Sequence, residues 1–231
     1  MDDQRYIMTD PTAAEICALV SDQDSLPSTI HGREREIGEY QASRQVSTSE
    51  KWLEAPDKIR SEVLTVDKWD DIETELAALN PFDTIGFGGV GSFFVQNGAE
   101  ALSYNSEQSK SKRYDFESAE GVSVMTTALV KTVVGETFEV SANGKETVAD
   151  HDCYILSSEP TDSADVLSSR IDTYRLWIDQ EYGYPLKHEF GYQLEEGPLD
   201  IQRRFEEVEF DTEISDDVFD CTPPEGSTVV E

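Results

Sequence analysis

Apolar and polar residues alternate with a period of two along most of this chain. In the stretch 175–190, Leu176 and Ile178 fall on one side and Trp177 on the other, the spacing of a half-buried β-strand. The run from Asp179 to Gly183 reads as a tight turn, because Gly183 can adopt a positive φ. Pro185 opens the returning strand, where a missing N–H is tolerated, and Leu186, His188, Phe190 and Tyr192 then share a face. The same alternation predicts long strands over 30–40, 42–54 and 58–66. Arg33, Glu34, Arg35, Glu36 and Glu39 make the first of these largely solvated. Shorter strands follow over 92–95, 101–104, 111–116, 138–140, 146–157 and 201–210. Asn97-Gly98 is the strongest hairpin signal, and Asn143-Gly144 marks a second tight turn.

A period of 3.6 is confined to short segments. Residues 11–22 predict a helix, with Asp10 as cap, Pro11 in the first position and Ala13, Ile16 and Val20 on one face. Residues 70–79 predict a short acidic helix that Asn80-Pro81 ends. Residues 120–134 place Val122, Met125, Leu129 and Val133 at helical spacing. The fold expected is mainly β with two or three short helices: a curved antiparallel sheet forming a half-open, incomplete β-barrel covered by helices. Residues 1–10 read as a flexible lead-in, 11–225 as a single domain with an insertion or loop over 67–90, and 226–231 as a tail. The apolar stripe around Met125 has two readings, plain core or the lid of a ligand cavity inside the sheet.

Charge changes the picture most. There are 49 Asp and Glu against 18 Lys and Arg, a net charge of −31. This describes an acidic, well-hydrated surface suited to concentrated salt, where self-repulsion is screened over a few ångströms. It excludes phosphate-led binding of nucleic acid, which needs a basic face. Cys17, Cys153 and Cys221 have no zinc-site spacing, and Cys153 reads as a small buried hydrophobe. No apolar run reaches the length that spans a bilayer. No leader pattern opens the chain, which leaves the cytosol or a leader removed beforehand as alternatives.

Motifs for chemistry are sparse. Gly86-Phe-Gly-Gly-Val-Gly91 matches G-x-G-x-x-G, but Asn80-Pro81 precedes it and a strand follows, so glycines at a sharp bend are the better reading. His31, His151 and His188 lack metal-binding spacing. His151-Asp152-Cys153 is a poor Cys–His pair because Cys153 belongs to a core face. No nucleophile elbow or calcium loop occurs. No catalytic residue, metal ligand or cofactor site is expected.

The order of segments resembles a known family. Residues 52–63 (Trp-Leu-Glu-Ala-Pro-Asp-Lys-Ile-Arg-Ser-Glu-Val), the hairpin around Asn97-Gly98 up to Tyr104-Asn105, the strand from Gly144 to Leu156, and Leu176-Trp-Ile-Asp with Tyr184-Pro-Leu-Lys187 are similar to the outer-membrane lipoprotein-sorting (LolA-like) group and the related sigma-factor regulatory periplasmic domains. The acidity suggests a halophilic archaeal type. The resemblance implies a non-enzymatic carrier that binds a lipid or lipoprotein acyl chain in a half-barrel cavity, or a sensor platform of the same fold with a filled interior. It implies a hydrophobic ligand or lipidated protein as partner, a membrane-associated partner besides, and an extracytoplasmic or cell-surface location. A lipidation box is absent, and Asp150 stands where the family has Gly. Strand parity and helix spacing make Val63, Phe94, Leu102, Met125 and Leu129 the candidate lining.

Overall fold

The computed structural model describes residues 10–21, 26–40, 43–67, 88–116, 138–161, 171–194 and 197–230. Twelve strands form one sheet built from two meanders. The first contains β1 (Thr29–Tyr40), β2 (Ser43–Glu54), β3 (Lys58–Asp67), β4 (Phe93–Asn97), β5 (Glu100–Asn105) and β6 (Lys110–Asp115). The second contains β7 (Phe138–Val148), β8 (His151–Pro160), β9 (Ile171–Asp179), β10 (Pro185–Leu194) and β11 (Gly197–Phe210). Within each meander every strand pairs antiparallel with the next, and β1 pairs antiparallel with β11 to join the two. A short β12 (Thr228–Val230) adds in parallel to β6. The sheet is curved and does not close, with β12 and β7 at its two ends.

The seam between β1 and β11 carries a bulge. Arg33 faces Glu207 and Glu34 faces Phe205, which leaves Glu206 as the extra residue. The strands approach so closely there that a Cβ on Gly32 would lie 2.4 Å from the Glu207 carbonyl oxygen, so only glycine fits. One face of the seam bears Arg33 and Arg35, which meet Glu207 at 3.0 Å and Glu206 at 4.0 Å.

Helix α1 (Ala13–Ser21) starts with a capping box rather than with Asp10. Thr12 Oγ1 accepts from the Glu15 N–H at 3.3 Å, and Glu15 Oε2 accepts from the Thr12 N–H at 2.7 Å. Asp10 instead pairs with Lys145 at 2.7 Å. The turn after β9 forms as its sequence predicts. Asp179 accepts from the N–H groups of Glu181 and Tyr182, and Gly183 has φ +66°. Gly88-Gly89-Val-Gly91 makes a bend closed by Gly91 N–H donating to Val63 O at 2.8 Å, with a strand after it, as a structural role requires.

Asn143-Gly144 is not a turn. It lies within the continuous β7 as a register shift between Ala142 and Lys145. The hairpin turns instead at Ala149-Asp150, both at positive φ (49° and 65°), the geometry of a two-residue primed turn that Asp tolerates. The expected helices over 70–79 and 120–134 lie outside the described residues, as does most of the 67–90 loop.

Beyond β11 the chain crosses the seam. Asp211 accepts from Ser28 N–H and Oγ–H at 2.8 Å. One turn of 3₁₀ helix (Asp216–Phe219) then seats Phe219, fully buried, against Val95 and Leu102. Lys58 pairs with Glu54 at 2.7 Å and Asp216 at 2.9 Å. The end of the chain, read from sequence as a tail, is therefore a strap and a strand. Removing the Phe219 ring by Phe219→Ala is expected to cost about 3 kcal/mol, seen as a lower urea midpoint at unchanged slope. Val229→Ala, at a side chain 49% exposed, should stay within about 0.5 kcal/mol. An unchanged midpoint for F219A would show that the strap is not part of the cooperative unit.

Candidate functional site

Alternation along each strand gives the sheet two unlike faces. On one, α1 lays Ile16 and Val20 over Phe138, Leu156, Tyr174, Leu176, Ile178 and Phe190. The Tyr174 and Phe190 rings stack at 5.5 Å. At the far end of this face, Phe94 and Ala101 are buried with Ile59, Tyr114 and Phe116 against them. Val63, 6% exposed, stands on the same face, since it pairs with Ser49 and Ser49 with Glu34.

Between the two apolar blocks runs a polar row that crosses the seam. His188 on β10 pairs across with Arg203 on β11, and Arg203 with Glu36 on β1. The Arg203 Nε donates to Glu36 Oε2. One residue pair along, Glu34 takes the Lys51 ammonium. Glu34 is 8% exposed and His188 8%, whereas the Arg203 side chain retains 41%. The row is thus dry at its ends and reachable at its centre.

His188 is held neutral. Burial, with help from the Arg203 and Lys51 charges, pushes its pKa down to about 3. Burial also raises the Tyr174 pKa, so Tyr174 keeps its proton, and its hydroxyl is hydrogen-bonded to His188 Nδ1 at 2.8 Å. Arg203 is driven further toward its charged form, chiefly by Glu36.

The sequence expectation for β1 is corrected here. Glu34 and Glu36 are not solvated but face inward, because the Arg-Glu-Arg-Glu run sends both acids to one side and both arginines to the other. Complementary cations at Lys51 and Arg203 receive them. Of the candidate lining, Val63 and Phe94 share the α1 face. Leu102 points the other way, into the cluster with Val95 and Phe219, so it does not line the same surface. Met125 and Leu129 lie outside the described residues.

The opposite face carries a groove of about 760 Å³ between the end of the β1–β2 hairpin and β7. Ser141, Asn143, Thr173, Arg175, Asp200 and Gln202 line it, a polar wall unsuited to acyl chains. Nucleophilic chemistry finds little support among the described residues. Burial raises Cys153 to about 12, His151 is tied to Asp179 at 3.0 Å and His31 to Glu50 at 2.9 Å. No group of three or more metal-ligating side chains occurs among the described residues. No described helix is long and apolar enough to cross a membrane.

The depressed pKa of His188 has a testable sign. The unfolded chain binds a proton below about pH 6.5 that the folded chain refuses until about pH 3, so stability falls as pH drops through that window. Between pH 6.5 and 5 the share of the loss that belongs to His188 should reach about 1–2 kcal/mol. In His188→Gln this share should vanish. Urea denaturation at the two pH values reads it directly, and equal pH slopes in both proteins would refute the burial of a neutral imidazole.

The family described as a predicted periplasmic protein, DUF2092, matches residues 109–231, from the start of β6 through the second meander and the strap. Among curated proteins none matches. Solved structures share the fold. An uncharacterized conserved protein from Thermus thermophilus is 13% identical with a TM-score of 0.53, over 94% of this chain and 98% of that one. MucB in the complex structure of Pseudomonas aeruginosa MucA/MucB is 14% identical with a TM-score of 0.50, over 91% of this chain and 61% of that one. This chain therefore spans less than two-thirds of that protein. A LolA superfamily protein from Nitrosomonas europaea is 10% identical with a TM-score of 0.37, over 91% of this chain and 98% of that one. The Thermus protein and MucB are thus alike in fold with this chain at these identities. The family match takes in more than half of the sequence, and the chain belongs to the DUF2092 family of predicted periplasmic proteins.

Proposed function

We propose that this chain is a non-enzymatic, extracytoplasmic binding protein that holds a hydrophobic group, a lipid or a lipoprotein acyl chain, against the α1 face of its sheet. The observation that carries this reading is the division of that face into two apolar blocks around a partly buried polar row. In this reading the sheet acts as a half-open barrel, Val63 and Phe94 form part of the lining, and Met125 and Leu129 complete it from the helical cover. Each methylene moved from water onto that surface contributes about 0.8 kcal/mol. Burying roughly ten of them gives about 8 kcal/mol before the costs of ordering are subtracted. Arg203, the most exposed member of the row, would meet the polar end of an amphiphile. The acidic exterior would keep the carrier soluble in concentrated salt.

A second reading, a protein-docking platform with a filled interior, is favoured by MucB, which is seen in complex with MucA. The two separate on lipid. Protein purified in high salt and extracted with chloroform–methanol should release lipid in roughly stoichiometric amount on the carrier reading. Val63→Trp, which fills space on the α1 face, should weaken binding of the fluorescent fatty acid cis-parinaric acid about tenfold. Ile37→Trp on the opposite face should leave it unchanged. A clean extract together with no parinaric acid binding would leave the docking platform standing.

A further inference from the structure

In a chain of net charge −31, most described cations meet a carboxylate, as Arg33, Lys51, Lys58, Arg60 and Arg203 do. Lys110, Lys112, Arg113 and Arg204 are the exceptions among the described residues. Three of these four lie together on β6, next to the end of the sheet. Lys110 and Arg113 are exposed and Lys112 is half-buried, its ammonium 5.2 Å from the Tyr114 ring. Their placement follows strand parity. Lys112 lies across from Ser103 on the α1 face, and Arg113 across from Leu102 on the other. Cations therefore flank both sides of the same edge.

Among the described residues, that edge has room for strand addition. β12 pairs with Lys110 to Lys112 alone, and no described strand lies beside Arg113 to Asp115. Val229 on β12 is 49% exposed. The other end of the sheet differs: β7 carries a register shift between Ala142 and Lys145, with Gly144 at φ +94°, a device that blunts an edge. Lysines on an edge can also serve to repel like edges. Here the rest of the molecule is strongly acidic, so carboxylates would repel further copies, whereas cations without an ion pair of their own attract acidic chain, Arg113 from a groove it shares with Glu100 and Asp220.

We propose that the β6–β12 edge is a docking site for an extended acidic segment of a partner protein, added as a further strand along the outer side of β12 and the Arg113–Asp115 portion of β6, with carboxylates reaching Arg113 directly on one face and Lys112 across β12 on the other. Backbone hydrogen bonds supply the register and the charges supply the selectivity. The site is separate from the α1 face and stands whether or not that face carries lipid.

Fluorescence anisotropy tests it with three labelled ten-residue peptides: alternating Glu-Val, alternating Lys-Val, and Glu-Val carrying N-methyl groups along one edge. The full chain should bind Glu-Val and neither of the others, and binding should weaken as salt rises. The double variant Lys112→Glu/Arg113→Glu should bind about tenfold more weakly, with Lys112→Gln/Arg113→Gln between the two. Lys145→Glu, a cation on β7, should change nothing. Circular dichroism confirms that each variant is folded. Glu-Val binding that survives both double variants, equal binding of the N-methylated peptide, or no binding by the full chain would overturn the proposal. So would light scattering that shows the edge already occupied by a second copy.

Discussion

The pairing of charges across the seam is the constraint on which the rest of the structure depends. Among the described strands, the two meanders, each built of neighbouring hairpins, pair where β1 lies beside β11. At that line Glu36 must find Arg203, and Glu34 must find Lys51 from the next strand. A slip of one residue would turn both acids to the other face and leave the cations without them. Buried pairs add little net stability, because desolvation offsets attraction, but breaking one is costly. The row therefore acts mainly to fix register, and the Glu206 bulge with Gly32 opposite it fixes the local bend.

Register in turn determines what each face offers. The α1 face receives one apolar block from each meander, with the ionic row between them. The opposite face is closed over the first meander by the Phe219 strap, and over the second it joins a polar groove to an apolar cluster around Val148, Cys153 and Trp177. Strand alternation, shifted at the bulges, thus gives each face its own apolar clusters and its own polar surface. The strap reinforces this by tying the end of β11 back onto β2 through β5, where Lys58 and Asn97 hold it.

Much of this was legible in the residues. The long strands β1, β2 and β3 fall within a residue or two of where alternation puts them, and Gly183 and Pro185 mark their turn and strand correctly. The Ala149-Asp150 turn was missed because Asn143-Gly144 is the stronger local signal, while long-range pairing with β8 overrides it. Glu34 and Glu36 looked solvated because their partners lie on other strands. The alternation Arg-Glu-Arg-Glu was nevertheless a clue, since it separates the signs onto two faces. Leu102 was separable as well. A two-residue hairpin at this point sets Phe94 opposite Ser103 or Ala101, and either pairing puts Leu102 on the other side. The strap carried no periodic signal, because its hold on the sheet comes from one aromatic ring and a few ion pairs.

The seam also has a consequence for the order of assembly. Every hairpin can form as soon as its own residues leave the ribosome, but β1 waits for a strand that ends at Phe210. Contacts so distant in sequence form slowly. Until they do, each meander carries a bare border where its partner belongs, the sort of surface at which nascent chains stick together. On both borders the chain places ions of both signs, Arg33 to Glu36 on one and Arg203, Arg204, Glu206 and Glu207 on the other. Such borders are poorly suited to pair with apolar strands and well suited to each other, so the same residues that join the finished sheet also protect its halves while they wait.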